Sequence, residues 1–284
     1  MKIELAKTEI IHFIGIGGIG MSGLSLIMNG KGFKTQGSDL SLNKNIERLR
    51  KEKIKIFIGH KKQNLNKATI VVVSSAIKKN NPEMIEAKRK NLPIIARGKM
   101  LAHIVSLTKN IVVVGSHGKT TTTSLVASIF QKTKLDPTII NGGVINSIQN
   151  TAKLGKSEWS ILEADESDGS FLAYRPSGAI ITNIELDHVD HFASEREVFD
   201  VFLQFVESIK PGGFLVACGD DEGVNTLLKQ ITRKDLKVYL YGKSAINDFR
   251  IDKIFLAPTK STSVVSNTGR KIGELNLSVA GEHN

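Results

Sequence analysis

The sequence predicts an α/β protein of two successive units. The first is a Rossmann-like doubly wound domain. The second is a P-loop-type α/β domain around a mostly parallel sheet, with antiparallel strands appended. Three observations carry this. An apolar strand at 9–16 runs into Gly15-Ile16-Gly17-Gly18-Ile19-Gly20 and then a helix reaching Gly30. A second apolar strand, 111–114, runs into Gly115-Ser116-His117-Gly118 and a helix opened by Lys119 and four threonines. From Asp248 onward the spacing changes to period-two runs broken at Pro258 and at Asn267-Thr268-Gly269, which reads as antiparallel strands.

Between these landmarks the order is regular. A short strand at 34–38 ends at Asp39, an amphipathic stretch covers 46–53, and 54–58 is a strand. The run TIVVVS at 69–74 is almost continuously apolar, as in a parallel strand covered on both faces. Pro82 opens a helix at its favoured early position, and 93–96 is a short strand. The first domain is therefore expected over 1–105 and the second over 106–284. In the second, strands at 138–141, 158–163, 178–182, 214–218 and 237–241 alternate with helices at 119–132, 195–209 and 222–231.

Composition narrows the class. The chain has 284 residues, 40% hydrophobic and 24% charged, which is ordinary for a globular protein. No apolar run approaches the roughly 20 residues needed to span a bilayer. The first ten residues lack the apolar core of a secretion signal, and the single cysteine, Cys218, excludes an internal disulfide. These features point to the cytoplasm and to no membrane partner. The net charge of +11 comes from scattered lysines with few aromatics between them, so a nucleic-acid partner is not expected. A basic surface also steers a phosphorylated small substrate.

Four clusters carry chemistry. In the first, the glycines at 15, 17, 18 and 20 allow backbone to approach a diphosphate, and Asp39 can bond a ribose hydroxyl. The pattern fits NAD or any nucleotide diphosphate, including a UDP-sugar. In the second, backbone N–H groups and a helix N-terminus face an anion, Lys119 adds a charge, and Thr120 offers a hydroxyl to Mg²⁺. Its spacing, GxxGKT, is two residues shorter than the common GxxxxGK[ST]. The third is Glu163-Ala164-Asp165-Glu166-Ser167-Asp168, where Glu163 directly follows an apolar strand, the usual place for a metal carboxylate. The fourth is Thr182 to His191, in which His188 reads as a metal or phosphate contact, with a His/Asp zinc site as the alternative. Solvated acidic loops are the plain reading of the last two. Ser74 and Ser75 could bond a substrate phosphate or cap a helix. Cys218 and Trp159 read as core, and Asp220-Asp221 as a helix start.

The stretches GIGGIGMSG (15–23), SDL (38–40), VVSSAI (72–77), GSHGKTTTT (115–123), EADESDGSF (163–171), TNIELDHVDH (182–191) and GEHN (281–284) occur in order. Together they resemble the Mur ligases across essentially the whole chain, and the shortened loop is a mark of that family. The resemblance implies ATP-dependent ligation of L-alanine to UDP-N-acetylmuramate in peptidoglycan precursor synthesis, through an acyl phosphate. It implies that Gly115, Ser116, His117, Gly118, Lys119, Thr120 and Thr121 bind ATP, with Asn284 near the adenine. Thr120, Glu163 and His188 would hold Mg²⁺, and Lys119, Glu163 and His188 would be catalytic. Gly15, Gly17, Gly18, Gly20, Asp39, Ser74 and Ser75 would seat the UDP-sugar. Ser116 stands where the family usually has Thr. Family members continue into a third, amino-acid-binding domain, so the resemblance implies that this chain lacks one, binds UDP-sugar, and forms amide slowly or not at all. A ligase that recycles murein tripeptide is the nearest alternative. A nucleotide-binding fragment without turnover, or a dehydrogenase built on the first loop, would be a different class. Oligomeric state is not legible.

Overall fold

The computed structural model describes residues 5–145, 150–164, 170–185, 194–279 and 281. Its contacts divide into two compact units, one of Met1–Thr108 with Phe130–Ser160 and one of Lys109–Ile129 with Ile161–Asn284.

The first unit is built on a five-stranded parallel sheet. Its strands are β1 (Ile10–Ile14), β2 (Lys34–Asp39), β3 (Lys55–Ile58), β4 (Ile70–Val73) and β5 (Ile94–Ala96), in the order β3-β2-β1-β4-β5. The order reverses beside β1, so the ends of β1 and β4 form the crevice where ligands bind in open α/β sheets. The connecting helices are α1 (Ile19–Gly30), α2 (Lys44–Lys51), α3 (Pro82–Arg89) and α4 (Arg97–Ser106). Asn43 caps α2 by accepting from the Ile46 amide. Asn81 caps α3 just ahead of Pro82. Ile11, Phe13 and Ile14 of β1 are fully buried, as are Ile27 and Met28 of α1.

A helix and a strand of this unit escape the sequence reading. The helix α4 carries Met100, Leu101, Ile104 and Val105 at helical spacing and buries all four. Gly98 and the lack of a side-chain cap hide its start. The other is β8 (Asn150–Lys153), which pairs antiparallel with β7 (Thr138–Ile145), the strand expected at 138–141. The sequence of β8, NTAK, has no apolar alternation, because its small Ala152 packs against Gly23 of α1.

The second unit contains β6 (Lys109–Val114), β9 (Trp159–Glu163), β10 (Gly178–Ile181), β11 (Phe214–Cys218), β12 (Lys237–Gly242), β13 (Phe249–Ala257), β14 (Lys260–Asn267) and β15 (Arg270–Leu277). They follow one another as β15-β14-β13-β12-β11-β10-β6-β9. The run from β6 through β10, β11 and β12 to β13 is parallel, and β13, β14 and β15 are antiparallel, as the period-two spacing predicts. The helices are α5 (Lys119–Lys132), α6 (Glu195–Glu207) and α7 (Glu222–Leu228), with Ser194 and Asp221 capping the last two. Both end two or three residues before their expected limits of 209 and 231. Phe171 stacks on Phe205 at 5.0 Å and meets Phe202 edge-on at 6.1 Å, closing the core under α6. Trp159 is half-buried against Phe130 rather than enclosed.

Asp220 ties the end of β11 to the turn after β12. Its carboxylate accepts from the Lys243 and Ser244 amides and from the Asn247 side chain. Burial favours the neutral acid, but these donors outweigh it and hold the pKa below the usual 3.8. The folded state therefore gains from the ionised form above the usual value, and the gain is lost as pH falls through the lowered one. Asp220→Asn should lower the melting temperature at neutral pH, with the gap from wild type closing in acid. Thermal unfolding from pH 7 down to about pH 2 checks this; a gap that stays constant below the usual 3.8 would contradict it.

Candidate functional site

In the first unit, the glycine turn between β1 and α1 is fastened from below and from the side. The Ser38 carbonyl accepts the amides of Gly15 (2.9 Å) and Ile16 (3.0 Å). Asp39 Oδ2 accepts the Gly17 amide at 2.8 Å, and its Oδ1 accepts the Leu40 amide. The carboxylate assigned to a ribose thus also holds the loop. Asn43 and Asn45 donate to the Gly17 carbonyl. A Cβ at Gly17 would stand 2.6 Å from Asn43 Nδ2 and 2.9 Å from Asp39 Oδ2, so a larger residue would displace the side chains that hold the loop. Gly18 is the N-cap of α1 and offers no side chain to the first-turn amides, which leaves them to an anion. Ser74 lies beside the loop, its Cβ 3.6 Å from the Cβ position of Gly15. Its hydroxyl also accepts from the Ala76 amide, and Ser75 is exposed. Gly20 brings in a cation that the sequence reading overlooks. A Cβ there would be 2.9 Å from Arg97 Nη1, so this guanidinium covers the turn from the start of α4. Its signal in the sequence is a basic residue directly after a parallel strand, where the ligand crevice opens.

In the second unit, β6 delivers the chain into Gly115-Ser116-His117-Gly118. Lys119 Nζ donates back to the carbonyls of Gly115 (2.5 Å) and Ser116 (3.1 Å), which poises the ammonium over the loop. At the next residue, the Thr120 hydroxyl lies 2.9 and 3.0 Å from the two oxygens of Glu163 at the end of β9. Residues far apart in sequence thus converge as two hard oxygen donors beside the 115–118 turn.

The loop owes its shape to the segment after β10. The Ser116 hydroxyl donates to the Glu185 carbonyl (3.0 Å) and accepts the Glu185 amide (2.8 Å). The Ser116 amide reaches the Asn183 carbonyl, and the His117 amide reaches Asn183 Oδ1 at 2.7 Å. Thr182 Oγ1 donates to the His117 carbonyl at 2.6 Å. His117 Nε2 stands 3.7 Å from Glu185 Oε2, and both side chains are more than half exposed. Thr182 and Asn183 are the residues whose part in the loop the sequence reading does not anticipate. Their signal is polar residues at the end of a strand adjacent to the one feeding the loop.

Beside the cradle is a cavity of about 480 Å³, lined among others by Gly118, Thr121, Asn183, Asp221 and Tyr241. Burial, then Cys218 and the two aspartates, push the Tyr241 phenol well above its ordinary range, so it stays a neutral hydroxyl. Cys218 is half-buried, and burial likewise raises its thiol. Asp221 starts α7 as expected, and its carboxylate also accepts the Ile184 amide. His188 and Asn284, together with Glu166 and Asp168, lie outside the described residues.

Residues 10–109 match the family model described as Mur ligase family, catalytic domain. Residues 113–284 match the Mur ligase middle domain. The chain is 62% identical over 254 residues to a UDP-N-acetylmuramate–L-alanine ligase of Pelagibacter ubique, covering 89% of this chain and 54% of that protein. It is 43% identical to the enzyme of the same name from Rhizobium johnstonii, covering 99% of this chain and 61% of that one. The chain thus spans little more than half the length of these relatives. Among solved structures, the UDP-N-acetylmuramate:L-alanyl-gamma-D-glutamyl-meso-diaminopimelate ligase of Neisseria meningitides aligns with a TM-score of 0.84 at 26% identity, over 97% of this chain and 89% of that one. The UDP-N-acetylmuramate-alanine ligase of Thermotoga maritima aligns with a TM-score of 0.82 at 28% identity, over 96% of this chain and 61% of that one.

Proposed function

The chain belongs to the Mur ligase family, and from that premise we propose that it is the UDP-sugar- and ATP-binding part of a ligase joining L-alanine to UDP-N-acetylmuramate. The observation that carries this is the meeting of Thr120 and Glu163 beside Lys119. Residues 1–105 are the proposed UDP-sugar domain and 106–284 the proposed ATP domain, with the cytoplasm as the site of reaction.

In this reading the turn at 15–20, with Arg97 above it, seats the diphosphate of the UDP-sugar. Lys119 and the amides of 115–121 bind and orient the phosphates of ATP. Thr120 and Glu163 supply the oxygen ligands that Mg²⁺ prefers, and so fit that ion. What Mg²⁺ supplies there is neutralisation of charge on the phosphate oxygens. The muramyl carboxylate takes the terminal phosphoryl group as an acyl phosphate, and the amine of L-alanine then displaces phosphate. Positioning and charge neutralisation, not covalent participation of the protein, do the work in such a transfer. His188, as a further metal ligand, and Asn284, near the adenine, rest on the sequence resemblance alone.

Lys119→Ala should weaken Mg-ATP binding by about tenfold or more, the loss of one charge-assisted contact to phosphate. Affinity for UDP-N-acetylmuramate should stay within about twofold, a change of under ~0.5 kcal/mol. Titration calorimetry with each ligand tests both halves. Equal loss of both affinities, or of neither, would count against the assignment. A second reading, transfer of a tripeptide in place of L-alanine, draws on the likeness to the Neisseria meningitides structure. Phosphate release on adding L-alanine, compared with adding the tripeptide, separates the two.

A further inference from the structure

Behind the first glycine turn lies a buried polar cluster that the proposed chemistry does not use. Glu83, the second residue of α3, is fully buried in the first unit. Its Oε2 accepts from the Ser38 hydroxyl (2.5 Å) and from His60 Nδ1 (3.0 Å). Its Oε1 accepts from Asn64 Nδ2 (2.6 Å). Ser38 has one hydroxyl proton and gives it to Glu83, so His60 Nδ1, 3.0 Å from Ser38 Oγ, must be the protonated nitrogen. Gln36 Nε2 donates to His12 Nδ1 (3.2 Å), which puts the His12 proton on Nε2, 3.6 Å from Glu83 Oε1. That span is too long for a hydrogen bond and acts through charge and dipole. Burial alone would raise the pKa of Glu83; His12, Ser38 and Asn64 together hold it below the usual carboxylate range.

A carboxylate buried this deeply is costly, and such groups are best explained by the geometry they fix. Ser38 shows which geometry. Its hydroxyl ends on Glu83, while its carbonyl takes the amides of Gly15 and Ile16. The next residue, Asp39, takes the amide of Gly17. Three successive amides of the turn therefore hang on two residues, and the first of those is fastened to Glu83.

We propose that Glu83 is a positioning residue for the nucleotide-diphosphate turn, acting through Ser38 to set the height of residues 15–17. The inference rests on the reading that this turn binds the UDP moiety. UDP itself is the probe. Glu83→Gln should weaken UDP binding about tenfold, and Ser38→Ala several-fold, as a charge-assisted network loosens. Mg-ATP affinity should not change. Amide exchange at Gly15 and Ile16 should quicken in both variants without ligand, and Ser38→Thr, which keeps the hydroxyl, should restore both protection and affinity. Loss of thermal stability alone would not produce this pattern. If Glu83→Gln does not fold, Ser38→Ala decides, because it leaves Glu83 with Asn64 and His60. A wild type that binds UDP alongside variants that bind it equally well, or with unchanged exchange at Gly15 and Ile16, overturns this inference only. A wild type that does not bind UDP overturns the reading of the turn as well.

Discussion

Gly115→Ala should abolish nucleotide binding by the second unit and lower its stability by about 3 kcal/mol, the scale of combined backbone strain and overpacking. Gly115 has φ +137, a conformation L side chains rarely adopt. An added Cβ would lie 2.1 Å from Thr182 Oγ1 and about 3 Å from the Asn183 backbone. Thr182 cannot yield cheaply, because its hydroxyl is spent on the His117 carbonyl at 2.6 Å. Relief must come from the loop itself, which would carry its amides and Lys119 away from the phosphates. Thermal unfolding and Mg-ATP titration of the variant measure the two effects. Wild-type affinity in a folded Gly115→Ala protein would contradict the geometry.

Glu163→Gln should remove the Mg²⁺-dependent part of ATP affinity and leave the metal-free part near its wild-type value. The amide keeps the size of the carboxylate and one oxygen for the Thr120 hydroxyl, so folding should be preserved. What disappears is the negative charge that a divalent ion needs from its protein ligands. The expected loss is about 2 kcal/mol, close to thirtyfold, for removing a charged partner. Titrations with and without EDTA give the increment directly. Thr120→Val should reduce the same increment, and the double variant should lose less than the sum, as two ligands of the proposed single ion would. Strictly additive losses would mean that the two groups do not share a ligand.

How far the sequence discloses all this depends on the range of each signal. Local patterns were sufficient for both glycine turns, for β4 and β6 with their runs of valine, and for the antiparallel strands from 249 onward. Glu163 stands out because the end of an apolar strand is the usual place for a metal carboxylate, although a solvated loop is the plainer reading, and the structure sets it against Thr120. The hairpin strand β8 was not legible, since its Ala152 suits the close approach to Gly23 of α1 rather than strand propensity. Arg97, Thr182 and Asn183 were missed for a related reason. Each acts on a loop dozens of residues away, and nothing in the local pattern names the partner. Glu83 is hidden further still, since Ser38, His60 and Asn64, which close around it, lie 19 to 45 residues away in sequence.

The reciprocal bond between Ser116 and Glu185 bears on how such a loop can evolve. A loop two residues shorter than the common form has fewer internal amides to fold upon, and it borrows backbone from 182–185. Positions 115, 116, 182 and 183 thereby become one unit of inheritance. Threonine can stand in for Ser116 because it keeps the hydroxyl, whereas alanine would strand the Glu185 amide. An insertion restoring the common spacing would gain nothing until the borrowed segment had also changed. The short loop is in this sense ratcheted: an alanine at 115 or at 116 is penalised by residues of the 182–185 segment that follows β10.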